Sequence, residues 1–263
     1  VVLHDQNAVL GSANRMLARF ADAIATSFDD VRGVPVGARA VLVGTPVREA
    51  IAAVGPYAPP EAGRVELLVL GGSLGARVFS DVVPPVLAGW PAVRRANLRV
   101  TQQARGEDVE RVQAAYASAG ITAEVSAFFG DVASLLERAH LVIARSGGST
   151  VAELAAAGRP ALLVPLPIAA SDEQAANGQR LVDAGAAWMV RQPGFDEAWL
   201  SEHLAFLLAD PSKLVAAAKA ARAQARPNAV EDFASLLEEL AGGRYDATRP
   251  IRDTDPRDGE GIG

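Results

Sequence analysis

Short runs of mostly apolar residues, rich in Val, Leu and Ile, alternate with segments of helical period along most of this chain. They fall at residues 23–28, 40–44, 66–70, 98–102, 123–128, 141–144, 161–165 and 186–190. Short runs without a polar face belong to strands covered on both sides, and such strands come in parallel sheets with helical crossovers. The pattern therefore predicts an α/β fold built on a doubly wound parallel sheet. Helix signals occupy the gaps. Thr45 before Pro46 and Asp131 before Val132 read as N-caps, while Gly120, Gly158 and Gly185 stand where C-terminal caps belong. Helices are expected at about 12–20, 197–209, 211–223 and 229–240, the last three closing the sheet unit.

Two of the apolar runs end in glycine-rich turns, Gly71-Gly72-Ser73-Leu74-Gly75 and Arg145-Ser146-Gly147-Gly148-Ser149-Thr150, and each turn opens a helix. The first backbone N–H groups of a helix lack internal partners and the helix dipole is positive there, so such a turn can hold an anion without a basic side chain. Glycine lets the ligand approach those amides. The pair points to a phosphorylated ligand. The first turn does not follow G-x-G-x-x-G, because position 73 is Ser, and it has no Lys of a Walker loop, which disfavours NAD binding and ATP hydrolysis.

Composition narrows the classes further. A net charge of −6 and the lack of a basic stripe argue against a nucleic-acid partner. With no Cys there is neither a disulfide framework nor a thiolate metal site, and His4, His140 and His203 are too scattered for a metal centre. No apolar stretch approaches the roughly 20 residues of a membrane span. The chain opens at Val1-Val2-Leu3-His4, already in a strand, which reads as a truncation: residues 1–40 as the remnant of a preceding unit, 41–241 as a nearly complete unit, and 242–263 as a disordered tail.

Several residues carry more than one reading. Glu153 lies within a turn of the second glycine turn, where a carboxylate could accept both hydroxyls of a ribose. Thr150-x-x-Glu153 also reads as a capping box, in which the Glu returns to a backbone N–H. The first turn matches G-x-S-x-G, the nucleophile elbow of α/β hydrolases, with Asp172 and His203 following in the expected order, although the spacing around His203 reads as a surface helix. His140 reads as a helix C-terminal cap, and Asp172 as a helix start at a strand edge. Arg48 falls one turn into the helix expected from Pro46, near the mouth of the sheet.

Taken in order, His4-Asp5-Gln6-Asn7 with Ala13-Asn14-Arg15, Gly44-Thr45-Pro46-Val47-Arg48, Gly71-Gly72-Ser73-Leu74-Gly75-Ala76-Arg77, the segment from Arg145 through Glu153, and Asp172-Glu173-Gln174 with Asn177 resemble the MurG glycosyltransferases. That family transfers N-acetylglucosamine from UDP-N-acetylglucosamine to the undecaprenyl-pyrophosphoryl-muramoyl-pentapeptide of peptidoglycan synthesis, lipid I to lipid II. The resemblance implies a GT-B fold of two Rossmann-like domains. Residues 1–40 would then be the remnant of the N-terminal, acceptor-side domain and 41–241 the C-terminal domain that binds the UDP-sugar. By the same resemblance Ser73 would meet the diphosphate, Gly148, Ser149, Thr150, Val151 and Ala152 would wrap the nucleotide, and Glu153 would bind the ribose hydroxyls. Phe129 would present its backbone to the uracil, Gln174 would hold the sugar, and Arg48 and Asn7 would complete the donor site.

The resemblance also implies a peripheral enzyme on the cytoplasmic face of the bacterial inner membrane; no cofactor is expected, and no metal is needed if the helix beginnings stabilise the leaving UDP. The family usually has Glu at Asp5, Gln at Leu74 and Asn at Thr45, so side-chain contacts at those positions do not carry over. The family's catalytic base is expected in a segment preceding Val1, and no residue of this sequence is assigned that role. Three alternatives stand beside the transferase: a UDP-sugar-binding chain without turnover, a serine hydrolase using Ser73, and a UDP-sugar epimerase of the same architecture.

Overall fold

The structure is a computed structural model that describes residues 1–61, 63–72, 75–167 and 172–242. Ser73, and all of the tail at 242–263 except Gly242, lie outside the described residues. The chain begins with β1 (Val2–Asp5), α1 (Ser12–Leu17) running into a 3-10 turn (Ala18–Phe20), β2 (Ala23–Thr26) and β3 (Ala40–Leu42). These strands form a parallel sheet in the order β1-β2-β3. The short α2 (Glu49–Ala52) then leads to the second sheet.

That sheet is built from β4 (Val65–Leu70), α3 (Arg77–Ala88), α4 (Ala92–Ala96), β5 (Leu98–Gln103), α5 (Val109–Ser118), β6 (Thr122–Ser126), α6 (Val132–Arg138), β7 (Leu141–Ala144), α7 (Gly148–Ala157), β8 (Ala161–Leu163), α8 (Glu173–Asp183) and β9 (Ala187–Met189). Helices α9 (Glu197–Leu208), α10 (Pro211–Ala223) and α11 (Ala229–Ala241) follow. All six strands are parallel, in the order β6-β5-β4-β7-β8-β9. From β4 the chain winds outward through β5 to β6, and from β7 it winds the opposite way through β8 to β9. The reversal puts the topological switch point between β4 and β7.

Successive residues of β4 serve the two layers alternately, as the pleat requires. Leu67 and Val69 enter a core with Phe79 and Val83 of α3, Tyr116 of α5 and Leu200 and Leu204 of α9. Leu68 enters the opposite core with Leu136 of α6, Val151 and Leu154 of α7 and Leu181 of α8. This two-sided burial is why the strands read as apolar runs.

Some sequence expectations are corrected. The run at 40–44, assigned to the second unit, supplies β3, which pairs with β2, and Val43 packs beneath Leu236 and Phe233 of α11. Helix α11, expected to close the second sheet, covers the first instead, with the Phe233 ring tilted against His4 at 5.0 Å between centroids and Glu239 3.4 Å from Arg39. Thr45 does not cap a helix. It is buried and its hydroxyl donates to Ser27 Oγ at 2.7 Å, so Pro46 and Val47 stay outside the helix and α2 starts at Glu49 with Arg48 at its N-cap position. The Asp131 cap is present, accepting the Ser134 N–H at 3.1 Å, and Gly120, Gly158 and Gly185 take positive φ at their helix ends.

Three helices of one layer end at a pair of arginines. Arg159, 1% exposed, donates to the carbonyls of Leu136 and Glu137 of α6, of Ala157 and Gly158 at the end of α7, and of Gly55 beyond α2. Arg222 of α10 reaches Val54, Ala156 and Ala157 carbonyls beside it. Last-turn carbonyls lack helix partners and carry the negative end of the dipole, so two guanidinium forks satisfy both needs. Replacing Arg159 by Met strands these acceptors in an apolar layer. Guanidinium denaturation is expected to show a loss of about 3 kcal/mol or more; a loss below about 1 kcal/mol would mean that other donors substitute.

His140, just before β7, bonds to Glu66 of β4 rather than capping α6. Its N–H donates to the Glu66 carbonyl at 2.9 Å, its Nδ1 accepts the Glu66 N–H at 2.8 Å, and its carbonyl accepts the Tyr57 hydroxyl at 3.0 Å. Burial, and then the charge of Arg159, holds the imidazole below its ordinary pKa of 6.5. Protonated Nδ1 cannot accept a hydrogen bond. The unfolded chain thus takes up this proton first, so the contribution of His140 is complete above about pH 6.5 and falls away as pH drops below it. Urea denaturation at about pH 7.5 and about pH 5.5 should show a larger acid loss for the native chain than for His140→Gln; equal losses would remove His140 as a source.

Candidate functional site

The site begins with the pairing of β4 and β7, Leu67 opposite Leu141 through Leu70 opposite Ala144. The two glycine turns leave the carboxyl ends of these neighbouring strands, the position at which open α/β sheets bind ligands. In the first turn a Cβ on Gly71 would stand 2.4 Å from the Ala76 nitrogen, and Gly72 and Gly75 take φ of +82° and +67°. Gly71 thus lies against Gly75 and Ala76, where α3 begins, and the N-cap Ala76 offers no side-chain acceptor.

In the second turn Gly147, extended at φ −62° and ψ 155°, is the N-cap of α7 and also offers no side-chain acceptor. The first hydrogen bond of α7 is from Val151 N–H to the Gly147 carbonyl, so the amides of Gly148, Ser149 and Thr150 precede it. This placement overturns the capping box. The helix starts before Thr150, and the Glu153 carboxylate pairs with the Arg48 guanidinium at 3.2 Å instead of returning to the helix end.

The loop after β1 sits directly on this helix start. A Cβ on Gly148 would lie 2.6 Å from the Gln6 carbonyl oxygen, so only glycine admits the contact. Asp5 shapes the loop: its carboxylate accepts the N–H groups of Asn7 and Gly11 and the Asn14 amide. Asn177 of α8, wholly buried, fastens it. Its Oδ1 accepts Ala8 N–H at 2.7 Å, and its Nδ2 donates to Asn7 Oδ1 at 2.9 Å and to the Ser146 carbonyl at 3.3 Å. An Asn within the otherwise apolar face of α8, beside Ala175, Gly178 and Leu181, was the available signal for this latch.

The fold thus brings Asn7, Arg48, Gly148 and Glu153 around the start of α7, with Ser149 exposed and Thr150 and Ala152 half-buried. Gly148, Val151 and Ala152 also line a cavity of about 680 Å³ that continues along α7 to Ala155, Arg180 and Arg226. Phe129 and Gln174 make other contacts. Phe129 stands before α6 in a hollow of about 450 Å³ with Ser126, Phe128 and Ser134, and Gln174 Oε1 accepts the Leu166 N–H beyond β8 at 3.0 Å. Arg145 spends its buried guanidinium on the Val164 and Pro165 carbonyls and on Gln192 Oε1, above the Phe79 ring.

Of the residues of the hydrolase alternative, Ser73 lies outside the described residues, and His203 and Asp172 are engaged elsewhere. His203 stacks on Trp199 at 3.7 Å with Nδ1 2.9 Å from the Trp199 carbonyl, and Asp172, at φ 52°, pairs with Arg191 and makes no cap hydrogen bond.

The model of the glycosyltransferase family 28 C-terminal domain matches residues 66–234. A curated relative from Gluconobacter oxydans (strain 621H), a UDP-N-acetylglucosamine--N-acetylmuramyl-(pentapeptide) pyrophosphoryl-undecaprenol N-acetylglucosamine transferase, is 57% identical over 240 residues, 90% of this chain and 66% of the relative. A relative of the same name from Granulibacter bethesdensis (strain ATCC BAA-1260 / CGDNIH1) is 53% identical over 242 residues, 91% of this chain and 63% of the relative. The chain therefore spans just under two thirds of the length of these relatives. The crystal structure of Acinetobacter baumannii MurG superposes with a TM-score of 0.74 at 33% identity, covering 91% of this chain and 67% of that one. Sequence and backbone agree on one assignment: the chain belongs to glycosyltransferase family 28 and, within it, to the MurG family.

Proposed function

We propose that this chain serves the transfer of N-acetylglucosamine from UDP-N-acetylglucosamine to the lipid-linked muramoyl-pentapeptide, the reaction named for its curated relatives, with inversion at the anomeric carbon. The observation that carries the reading is the pair of glycine turns side by side at the switch point, one opening α3 and the other α7. In the transfer the acceptor hydroxyl oxygen bonds to the anomeric carbon and its proton passes to a base. The bond from that carbon to the β-phosphate oxygen breaks, and its electron pair leaves with UDP. Two helix beginnings aimed at the diphosphate stabilise the charge that develops there.

In this reading the amides of Gly148, Ser149 and Thr150, with Val151 and Ala152 behind them, wrap the nucleotide, and Glu153 accepts the ribose hydroxyls. Arg48 orients Glu153 through their ion pair and, with Asn7, completes the donor site. Phe129 offers its backbone to the uracil, Gln174 holds the sugar, and Ser73 meets the diphosphate. The first sheet, β1 to β3 with α11 against it, belongs to the acceptor side, and the second sheet with its helices to the donor side. Glu153→Ala should weaken UDP binding by about 1.5 to 3 kcal/mol, as expected for hydrogen bonds to a charged group. Calorimetric titration of the folded variant with unchanged affinity would sink the ribose role.

A peripheral position on the cytoplasmic face of the inner membrane, where a lipid-linked acceptor is met, is part of the same proposal. Among the described residues no helix is long and apolar enough to cross a membrane. Support comes from α1 and its 3-10 extension, where Met16, Leu17 and Phe20 are exposed among Arg15 and Arg19. Apolar side chains flanked by cations suit an anionic lipid surface. Sedimentation with phosphatidylglycerol vesicles should show binding that Met16→Asp with Phe20→Asp reduces by about tenfold or more. Equal binding by both proteins would place lipid contact elsewhere.

A further inference from the structure

Strand β4 has a neighbour on each side. β7 brings the second glycine turn, and β5 brings Arg105, two residues beyond its end. Arg105 lies against the first turn: a Cβ on Gly75 would stand 3.0 Å from both Arg105 Cγ and the Arg105 nitrogen. Gly75 lies two residues before the start of α3, so the arginine is packed beside the amides that open that helix. Its backbone, at φ −65° and ψ 150°, holds the N-cap position of the 3-10 turn Gly106–Asp108, which fixes where the side chain departs.

Among the described residues the guanidinium of Arg105 is paired only with Glu107, at 4.0 Å and with both side chains open to solvent. An exposed pair at that distance holds its partners weakly. The neighbouring Arg145 is committed. Arg145 is buried on carbonyls and Gln192, and the charge of Arg105, after burial, helps to lower its pKa, which puts the two within electrostatic reach. Arg77 pairs with Asp81 on its own helix. Arg105 is thus a weakly held cation at the mouth of the first turn, on the carboxyl edge of the sheet.

We propose that Arg105 is a diphosphate-binding residue of the donor site, closing the first glycine turn from the side opposite the second. The inference rests on the donor reading above and extends it: Arg105 adds a weakly held guanidinium to the amides of Ala76 and Arg77 that open α3. A guanidinium matches two phosphate oxygens at once, which favours a diphosphate over an uncharged nucleoside.

The test compares UDP with uridine on the full chain by calorimetry, using competition for the weaker ligand. Arg105→Gln should lower UDP affinity about tenfold and leave uridine affinity unchanged, and Arg105→Lys should recover part of the loss because it restores charge without the fork. Unchanged UDP affinity in Arg105→Gln overturns the proposal. So does an equal loss for UDP and uridine, which marks a disturbed fold rather than a lost phosphate contact. A native chain that binds neither ligand removes the donor reading itself and this inference with it, a result distinct from native binding that the substitution fails to change.

Discussion

The parallel pairing of β4 with β7 is the constraint on which the site depends. Its register, Leu67 to Leu141 and Leu70 to Ala144, brings both strands to the same edge one residue before their turns begin. Because the chain winds away from β4 in one direction and from β7 in the other, no crossover covers the crevice between them. A slip of one residue would turn Leu68 and Val142 toward the wrong layers and also set the two turns out of step. Core packing and ligand geometry are enforced by the same hydrogen-bonded ladder.

Helix α7 shows how the fold deals with both ends of a dipole. At its beginning Gly147 supplies no capping side chain, and the amides of Gly148, Ser149 and Thr150 precede the first helix hydrogen bond. Its last carbonyls, at Ala156, Ala157 and Gly158, meet Arg159 and Arg222. The negative end is neutralised by fixed protein cations, while the positive end carries no capping side chain, which suits it to the anion of the proposed function. The same arginines take carbonyls from α6 and from Val54 and Gly55 just beyond α2, so the layer that supports α7 is tied together at the end remote from the crevice.

Much of this was legible in the sequence, for identifiable reasons. Strands buried on both faces need no polar alternation, so each run announced a strand, and the run at 141–144 matched β7 residue for residue. Glycines at positive φ marked helix ends because other residues are strained there. Local signals misled where a distant partner outbid them. Thr45 satisfied Ser27 rather than a helix end, Glu153 found Arg48 rather than its own helix start, and His140 received the Glu66 N–H from a neighbouring strand. The partner of β3 and the target of α11 were equally hidden, because sheet membership depends on contacts far apart in sequence.

The crevice at the start of α7 is not assembled by the second sheet alone. The Gln6 carbonyl seats against Gly148 at a distance no side chain allows, Asn177 ties Ala8 and Asn7 to the Ser146 carbonyl, and Arg48, on the connection between the sheets, reaches Glu153. Each contact joins the start of α7 to a segment that precedes the second sheet. Moving the first sheet relative to the second would therefore disturb the amides and the carboxylate together, since both occupy one turn of one helix. The relative position of the two sheets and the shape offered to a ligand are one variable, and Gly148 is the point at which that coupling admits the least slack.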